Sequence, residues 1–546
     1  MTRCKLNEHG RLSLIDGRGE EMDGSHKLKK VGAGVLAGLV AAVVMTLVLL
    51  VLRSLFGLAT PAELIGDRIA PRLSIETFFG LLDRFGGYNH LKQLGVSSVI
   101  GGQLLVGALG GLLYAFSVGR ARQPERAAPQ SRWFIAIFVG LLWLLSVLLL
   151  WPILGTSYVG LPLAKATVAN AFSLLIAYIS YGVSLVLLYR LMFRREMAGE
   201  RTGEAQPSGR RAVLVSGVGA VCALAVGGLL QRLYKAASFS YDGTQYKGKD
   251  VQAITPNDRF YVVTKNVVDP EVSRANWRLD ITGLVERPRT YTYEELAALP
   301  AVTQETTLRC ISNQVSDGLM SNAVWKGVPM RALIEAAGPK PGVVEVLLHG
   351  VDNFTDTFAI EKALDETTLV AYEMNNEPLP QRHGFPVRVV VPGLFGEKNV
   401  KWVTRIELVD HDAKGFYEQQ GWGPNFVTPT ISRFDVPEHK QKIKLAMAAA
   451  AGIGLKGVAH AGNRGVSRVE VSTNEGKTWN EAKLDYAKSP LAWALWSYEW
   501  RPAQAGEYKL VVRAADGKGE LQTDKERGTA PEGATGYHKI TAQIEA

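Results

Sequence analysis

The chain is poor in cysteine. Its 546 residues include only Cys4, Cys222 and Cys310, which excludes a disulfide-stapled scaffold. Charge is missing in particular places. Five runs, residues 31–52, 97–118, 133–155, 166–189 and 212–230, contain no Asp, Glu, Lys, Arg or His. Each is about 20 residues, the length that carries a helix across the hydrocarbon core. One cleaved signal peptide does not account for five such runs. Spans without ionisable groups argue against a pump or transporter, which needs relays and counter-charges. Spans without histidine pairs argue against a bis-histidine haem. Apolar residues make up 47% of the chain and are plentiful throughout, which excludes disorder over most of it.

What charge there is has a pattern. The formal net charge is +9, and residues 1–230 hold 23 Lys and Arg against 13 Asp and Glu. The whole positive excess therefore lies in the first half. It flanks apolar runs, which is a membrane pattern and not a nucleic-acid footprint. Residues 1–30 carry seven basic residues, 119–132 four and 190–211 six, whereas the alternate loops hold only Arg53, Arg68, Arg72, Arg84, Lys92 and Lys165. The positive-inside rule predicts a prokaryotic cytoplasmic-membrane anchor over 1–235, N-terminus inside, with everything after Leu230 outside. The 53–96 loop reads as an amphipathic helical insert at the outer interface, through Leu73, Ile75, Phe78, Phe79 and Leu82. Gly32, Gly34, Gly38, Gly217 and Gly219 read as helix-packing glycines. Arg210-Arg211 before the fifth run resembles a twin-arginine export signal, and equally reads as two more positive-inside residues.

Beyond about Ser240 the composition changes. Short β-rich runs at 259–264, 277–282, 343–349, 385–391 and 402–409 alternate with helical patterns at 292–298 and 330–337. Thr292 with Glu295 forms a capping box, and Gly338-Pro339 stops the second helix. This predicts an α+β domain over 245–428. Residues 430–546 show alternating strands at 468–472 and 508–513, an aromatic run at 492–500 and Gly-containing turns. They predict an immunoglobulin-like β-sandwich.

Cys310, beside Arg309, is the leading chemical candidate, because a neighbouring cation favours the thiolate. A thiolate attacks carbon, undergoes redox exchange or binds a soft metal. A nucleophile needs a base, for which His349, His383 and His411 are available; a redox pair needs a resolving cysteine, absent after Leu230; zinc needs further ligands at suitable spacing, also absent. A buried structural cysteine is the competing reading. A second block runs from His383 through Arg388 to Lys398-Asn399-Val400-Lys401. Its cations and glycines suit a phosphate, and equally suit a solvated basic loop.

In order along the chain, these segments resemble the sulfite oxidase family of molybdenum enzymes. The resemblance runs from about Phe260 to the C-terminus. Phe260-Tyr261-Val262 through Lys265-Asn266 is similar to the first cofactor-contacting segment, and Arg309-Cys310 with Ser312-Asn313 to the metal-ligating cysteine motif. Residues 322–329, 370–375 and 383–402 follow in family order, and 468–472 with 477–479 resemble the dimerisation domain. The resemblance implies that Cys310 gives its thiolate to molybdenum. It implies that Asn266, Asp352, His383, Arg388, Asn399, Val400 and Lys401 hold molybdopterin.

Members that oxidise sulfite surround it with arginines and a tyrosine. Here Lys265 takes the first arginine's place, Gln314-Val315-Ser316 replaces paired arginines, and Phe354 takes the tyrosine's. A dianion needs cations around it, so a pocket with Lys265, Val315 and Phe354 predicts a neutral substrate such as an S-oxide or N-oxide. The reading is a membrane-anchored extracytoplasmic molybdopterin oxidoreductase without haem. Electrons pass to a separate quinone-linked or cytochrome partner, and the C-terminal domain pairs two copies. The alternatives are a true sulfite oxidase or dehydrogenase, and a non-catalytic assembly or binding protein.

Overall fold

The computed structural model describes residues 3–6, 12–15, 24–119, 124–199, 243–446 and 452–546, with a few positions between 228 and 237. The predicted fifth span, 212–230, lies outside the described residues apart from Gly228, as do Cys222, Gly217, Gly219 and Arg210-Arg211. A pair of short antiparallel strands, Arg3–Leu6 and Leu12–Ile15, precedes six helices: α1 (Gly24–Phe56), α2 (Pro61–Ile69), α3 (Ile75–Phe85), α4 (Tyr88–Gly119), α5 (Pro124–Leu150) and α6 (Leu163–Gly199). Four contain segments long and apolar enough to cross a membrane: Val31–Phe56, Tyr88–Val118, Trp133–Leu150 and Leu163–Leu191.

The chain folds as two units, and both are discontinuous. The first comprises Met1–Ala62, Leu94–Leu154 and Thr167–Lys235; the second comprises Glu63–Gln93, Gly155–Ala166 and Ala236–Ala546. Two loops of the predicted anchor therefore fold with the rest of the chain.

In the first unit, glycines set the helix spacing. A Cβ on Gly38 would collide with the Gly107 carbonyl, and one on Gly111 with the Gly34 carbonyl. Glycine at these four positions lets α1 and α4 approach backbone to backbone. Gly32, in contrast, faces open space. The Tyr181 hydroxyl of α6 donates to the Gly107 carbonyl at 2.7 Å, tying a third helix to the crossing.

The second unit contains two five-stranded sheets. One runs Glu377–Pro378, Leu369–Met374, Met320–Pro329, Val302–Arg309, with Arg388–Val390 also paired to Leu369–Met374. The other runs Arg289–Thr292, Arg278–Gly283, Val403–Val409, Glu345–Gly350, Thr355–Ala359. Helix Met330–Ala337 buries Met330, Leu333, Ile334 and Ala337, a spacing that lines one helical face, and ends at Gly338 with φ 70°. The Thr292–Glu295 capping box forms as the sequence predicts. Residues 259–264, expected as a strand, pair with no sheet. Their backbone is used locally: the Tyr261 N–H donates to Ser321 Oγ, and the Val262 carbonyl accepts from Gly243.

The C-terminal region, expected as an immunoglobulin-like β-sandwich, is one hydrogen-bonded eight-stranded sheet. Its order is Ile431–Val436, Ile453–His460, Ala494–Trp500, Asn480–Tyr486, Val466–Ser472, Gly506–Asp516, His538–Glu545, Gln441–Lys444. Asn480–Tyr486 pairs on both sides and joins the halves. The sheet curls, so that Ile431–Val436 also packs near Gly506–Asp516 and His538–Glu545. Sequence alternation selects the buried face; it does not say whether two halves stay bonded.

Candidate active site

Cys310 follows the strand Val302–Arg309 directly, and its N–H donates to the Leu319 carbonyl at 2.9 Å, closing a loop over 310–319. The thiol is buried and not in a disulfide, with Sγ 3.1 Å from Ser312 Oγ. Arg309 is also buried. Its Nη2 donates to the carbonyls of Asn313 and Ala534 at 3.3 and 3.1 Å, while Nε and Nη1 have no hydrogen-bond partner. Burial lowers this guanidinium to about 9, with the Cys310 charge opposing the shift. A buried cation without a carboxylate partner beside Cys310 favours the thiolate.

Cys310 lines a cavity of about 270 Å³ within the second unit. Lys265, Asp352, Phe354, His383, Arg388, Asn399, Val400 and Lys401 line the same cavity. Eight of the predicted site positions thus meet Cys310 at one place. Two do not line it. Asn266 stands behind the wall and bonds Asp352, Nδ2 to Oδ2, at 2.7 Å. Val315 lies on the 310–319 loop and is not among the lining residues. Of the three histidines considered as bases, only His383 faces the cavity. His349 bonds Glu407 at 2.9 Å and His411 bonds Asp410 at 3.0 Å, both elsewhere.

The floor is cationic. Arg388 is buried and donates only to carbonyls, His383 O at 3.1 Å, Asn399 O at 3.0 Å and Val389 O at 3.4 Å. Lys401 reaches the carbonyls of Arg382 at 3.2 Å and Val263 at 3.5 Å. Neither makes an ion pair among the described residues, and burial lowers them to about 10 and about 8. His383 is held neutral, lowered by burial to about 3, with Nε2 2.9 Å from the Asn257 carbonyl. Two buried cations without carboxylate partners among the described residues fit an anionic phosphate, and a buried thiol outside any disulfide fits a soft metal. The donor set therefore suits molybdopterin.

Apolar lining comes from the insert. Ser74 caps α3, accepting from the Thr77 N–H at 3.3 Å, and Gly86 ends it with φ 76°. Phe78, Phe79 and Leu82 of α3 and Tyr88 of α4 line the cavity beside Tyr417 and Trp422. Ile75 is buried against Ile311, Phe395, Trp422 and Phe426. Of the insert expected at the membrane interface, Phe78, Phe79 and Leu82 face the cavity and are half-buried there. Lys92 of α4 donates to the Asn266 carbonyl at 3.0 Å, and the Tyr88 hydroxyl to the Thr264 carbonyl at 3.3 Å.

Sequence reasoning missed three residues here. Asp67 of α2 bonds Lys265, Oδ1 to Nζ, at 2.5 Å. Lys92 clamps segment 264–266. Glu397 lines the cavity, and its buried carboxylate oxygens have no hydrogen-bond partner; burial pushes it up to about 8. Glu397 sat inside the recognised 383–402 block, but Asp67 and Lys92 are about 170 residues or more from their partners and carried no local signal.

Known proteins resemble this part of the chain in sequence. A family model described as the oxidoreductase molybdopterin binding domain matches residues 266–417, and one described as the Mo-co oxidoreductase dimerisation domain matches 428–543. The mitochondrial sulfite oxidase of Drosophila melanogaster is 27% identical over 348 residues, covering 54% of this chain and 60% of that protein. Residues 266–543 belong to the sulfite oxidase family. Its domains carry a molybdenum cofactor, and the cavity supplies the donors for one. The NADH nitrate reductase of Solanum lycopersicum is 28% identical over 331 residues, covering 50% of this chain and 36% of that protein. The chain thus spans 60% or less of the length of these relatives. The sulfane dehydrogenase SoxCD of Paracoccus pantotrophus is a similar solved structure, 24% identical, covering 54% of this chain and 84% of that one, with a TM-score of 0.46.

Proposed function

We propose that this protein is a membrane-anchored, extracytoplasmic molybdenum oxidoreductase that moves an oxygen atom to or from an uncharged substrate, such as an S-oxide or N-oxide. The observation that carries this reading is the cavity itself. It brings Cys310 and two cations without ion pairs among the described residues together with the apolar lining of Phe78, Phe79, Leu82 and Tyr88. When bound, the cofactor supplies two-electron oxygen-atom chemistry. The chain's own residues do the rest. Cys310 supplies the thiolate ligand, Arg388 and Lys401 hold the phosphate, and neutral His383 supports the pterin. The α3 wall excludes water and receives an apolar substituent.

The two kinds of relative are named for sulfite and nitrate, both anions. In this chain Phe354 lines the cavity and packs edge-on against Tyr417 at 5.7 Å between ring centroids, which favours an uncharged substrate. The anchor reading has five spans, with the N-terminus in the cytoplasm and the cavity outside; four apolar helices and the charge pattern of the loops support it. A quinone-linked or cytochrome partner exchanges the electrons. The C-terminal region, immunoglobulin-like in kind, pairs two copies, in keeping with its match to a dimerisation domain.

The test is a dye-linked screen of S-oxides, N-oxides and sulfite, run on detergent-purified protein of known molybdenum content. Molybdenum-dependent turnover of a neutral oxide, at higher kcat/KM than sulfite, is the expected result. Efficient sulfite oxidation would overturn the substrate assignment, and protein without molybdenum or pterin would overturn the enzyme.

A further inference from the structure

The cations around the cavity are treated unequally. Arg388 and Lys401 make no ion pair among the described residues and remain available to an anionic cofactor. Arg382 is paired with Asp269 at 2.8 Å. Lys265 is paired with Asp67 at 2.5 Å, and both side chains are almost wholly buried, at 5% and 11% exposure. Asp67 does not belong to the cofactor-binding segment. It lies on α2, in the insert that follows the first apolar helix, 198 residues before Lys265. Among the described residues its second oxygen, Oδ2, is buried without a hydrogen-bond partner, and Lys265 is its one hydrogen-bonded cation.

We propose that Asp67 is a specificity-determining residue: it cancels the charge of Lys265 and thereby restricts the cavity to uncharged ligands, excluding small oxyanions. The inference rests on the cavity being the substrate site, as the proposed function has it. A buried cation with a free face attracts a dianion, whereas one held against a carboxylate presents a dipole with no net charge. An entering oxyanion meets Asp67 as well as Lys265, in surroundings that screen neither. Burial pushes Asp67 up to about 6 against the opposing pull of Lys265, which leaves it largely ionised at neutral pH. The same insert supplies the apolar wall, so one segment brings both the neutralising charge and the water-excluding surface.

The experiment uses the full-length holoenzyme in detergent at pH 7.5 and fixed ionic strength, with inorganic sulfate as the probe. Sulfate affinity is read by calorimetry and by competition with a neutral substrate. Asp67→Asn should bind sulfate at least tenfold more tightly than the wild type, and Asp67→Asn/Lys265→Met should lose that gain. An Asp67→Asn protein with unchanged affinity, or a gain that survives loss of Lys265, overturns the proposal. Lys265→Met alone gives a test that does not depend on the folding of the Asp67 variant. The substitution leaves the Asp67 carboxylate without its counter-charge, so sulfate affinity should be no higher than in the wild type, and a tenfold gain would show that the pair does not act as proposed and sink the idea. If no neutral oxide turns over while Asp67→Asn gains sulfate affinity, the oxygen-transfer reading fails and this inference stands.

Discussion

Asn266 and Asp352, 86 residues apart, are joined by a 2.7 Å hydrogen bond from the amide Nδ2 to the carboxylate Oδ2. Both are buried, and Asp352 Oδ1 also accepts the Phe354 N–H at 3.3 Å. One bond thus fixes the first cofactor segment to the turn that carries Phe354. Asn266→Ala should leave a buried carboxylate short of a donor and lower stability by about 1–3 kcal/mol. Pterin retention should fall about 10–100-fold, the range for outer partners of a metal site. Thermal unfolding and pterin fluorescence of the released cofactor measure the two effects.

Cys310→Ser replaces a soft donor with a hard one in nearly the same volume. The fold should persist, with a melting temperature close to the wild type. Turnover should fall by more than about 100-fold, beyond the loss typical of outer-shell partners. Dye-linked assay alongside molybdenum content checks this, and full activity in the variant would remove Cys310 from the reaction.

Glu397 gives a pH signature. Burial raises its carboxyl from the ordinary 4.5 to about 8, so between those values the folded state holds a proton that the unfolded state releases. Stability from this group is complete below about pH 4.5 and is lost as pH rises through about 8. The urea midpoint of the wild type should therefore decline across that window relative to Glu397→Gln, which cannot ionise. The two proteins should be closest at pH 5 and furthest apart above pH 8. Parallel midpoints would show that Glu397 does not hold the proton.

Glycine spacing in the first unit predicts a paired result. Gly38→Val should destabilise the protein by about 1–3 kcal/mol, as overpacking does in a tight contact, because a side chain there meets the Gly107 carbonyl. Gly32→Val, where nothing lies within 4 Å, should be near neutral. Detergent-resistance melts of the full chain compare the two.

Much of this architecture was readable in the residues, and the failures have physical causes. Four apolar runs became helices because a charge-free stretch of that length has few other solutions. The 330–337 helix and the Thr292 cap followed from local spacing alone. Cys310 and the 383–402 block were legible because their motifs are local in sequence. Val315 does not line the cavity, and its motif position says nothing about which way a loop turns. The role of Phe78, Phe79 and Leu82 was also hidden. Their helical stripe demands a buried partner, but lipid and protein satisfy that demand equally well. The ion pair of Asp67 with Lys265 leaves no trace in either local sequence.

Because residues 63–93 fold with the second unit, the catalytic module is not a cassette. A soluble truncation starting near residue 240 would keep both matched domains and still lose Asp67 and one wall of the cavity. The same holds for a graft of that portion onto a foreign anchor. Residues 63–93 must therefore travel with the rest of the unit, and a recombinant lacking them leaves Lys265 without its carboxylate partner and the cavity without Phe78, Phe79 and Leu82.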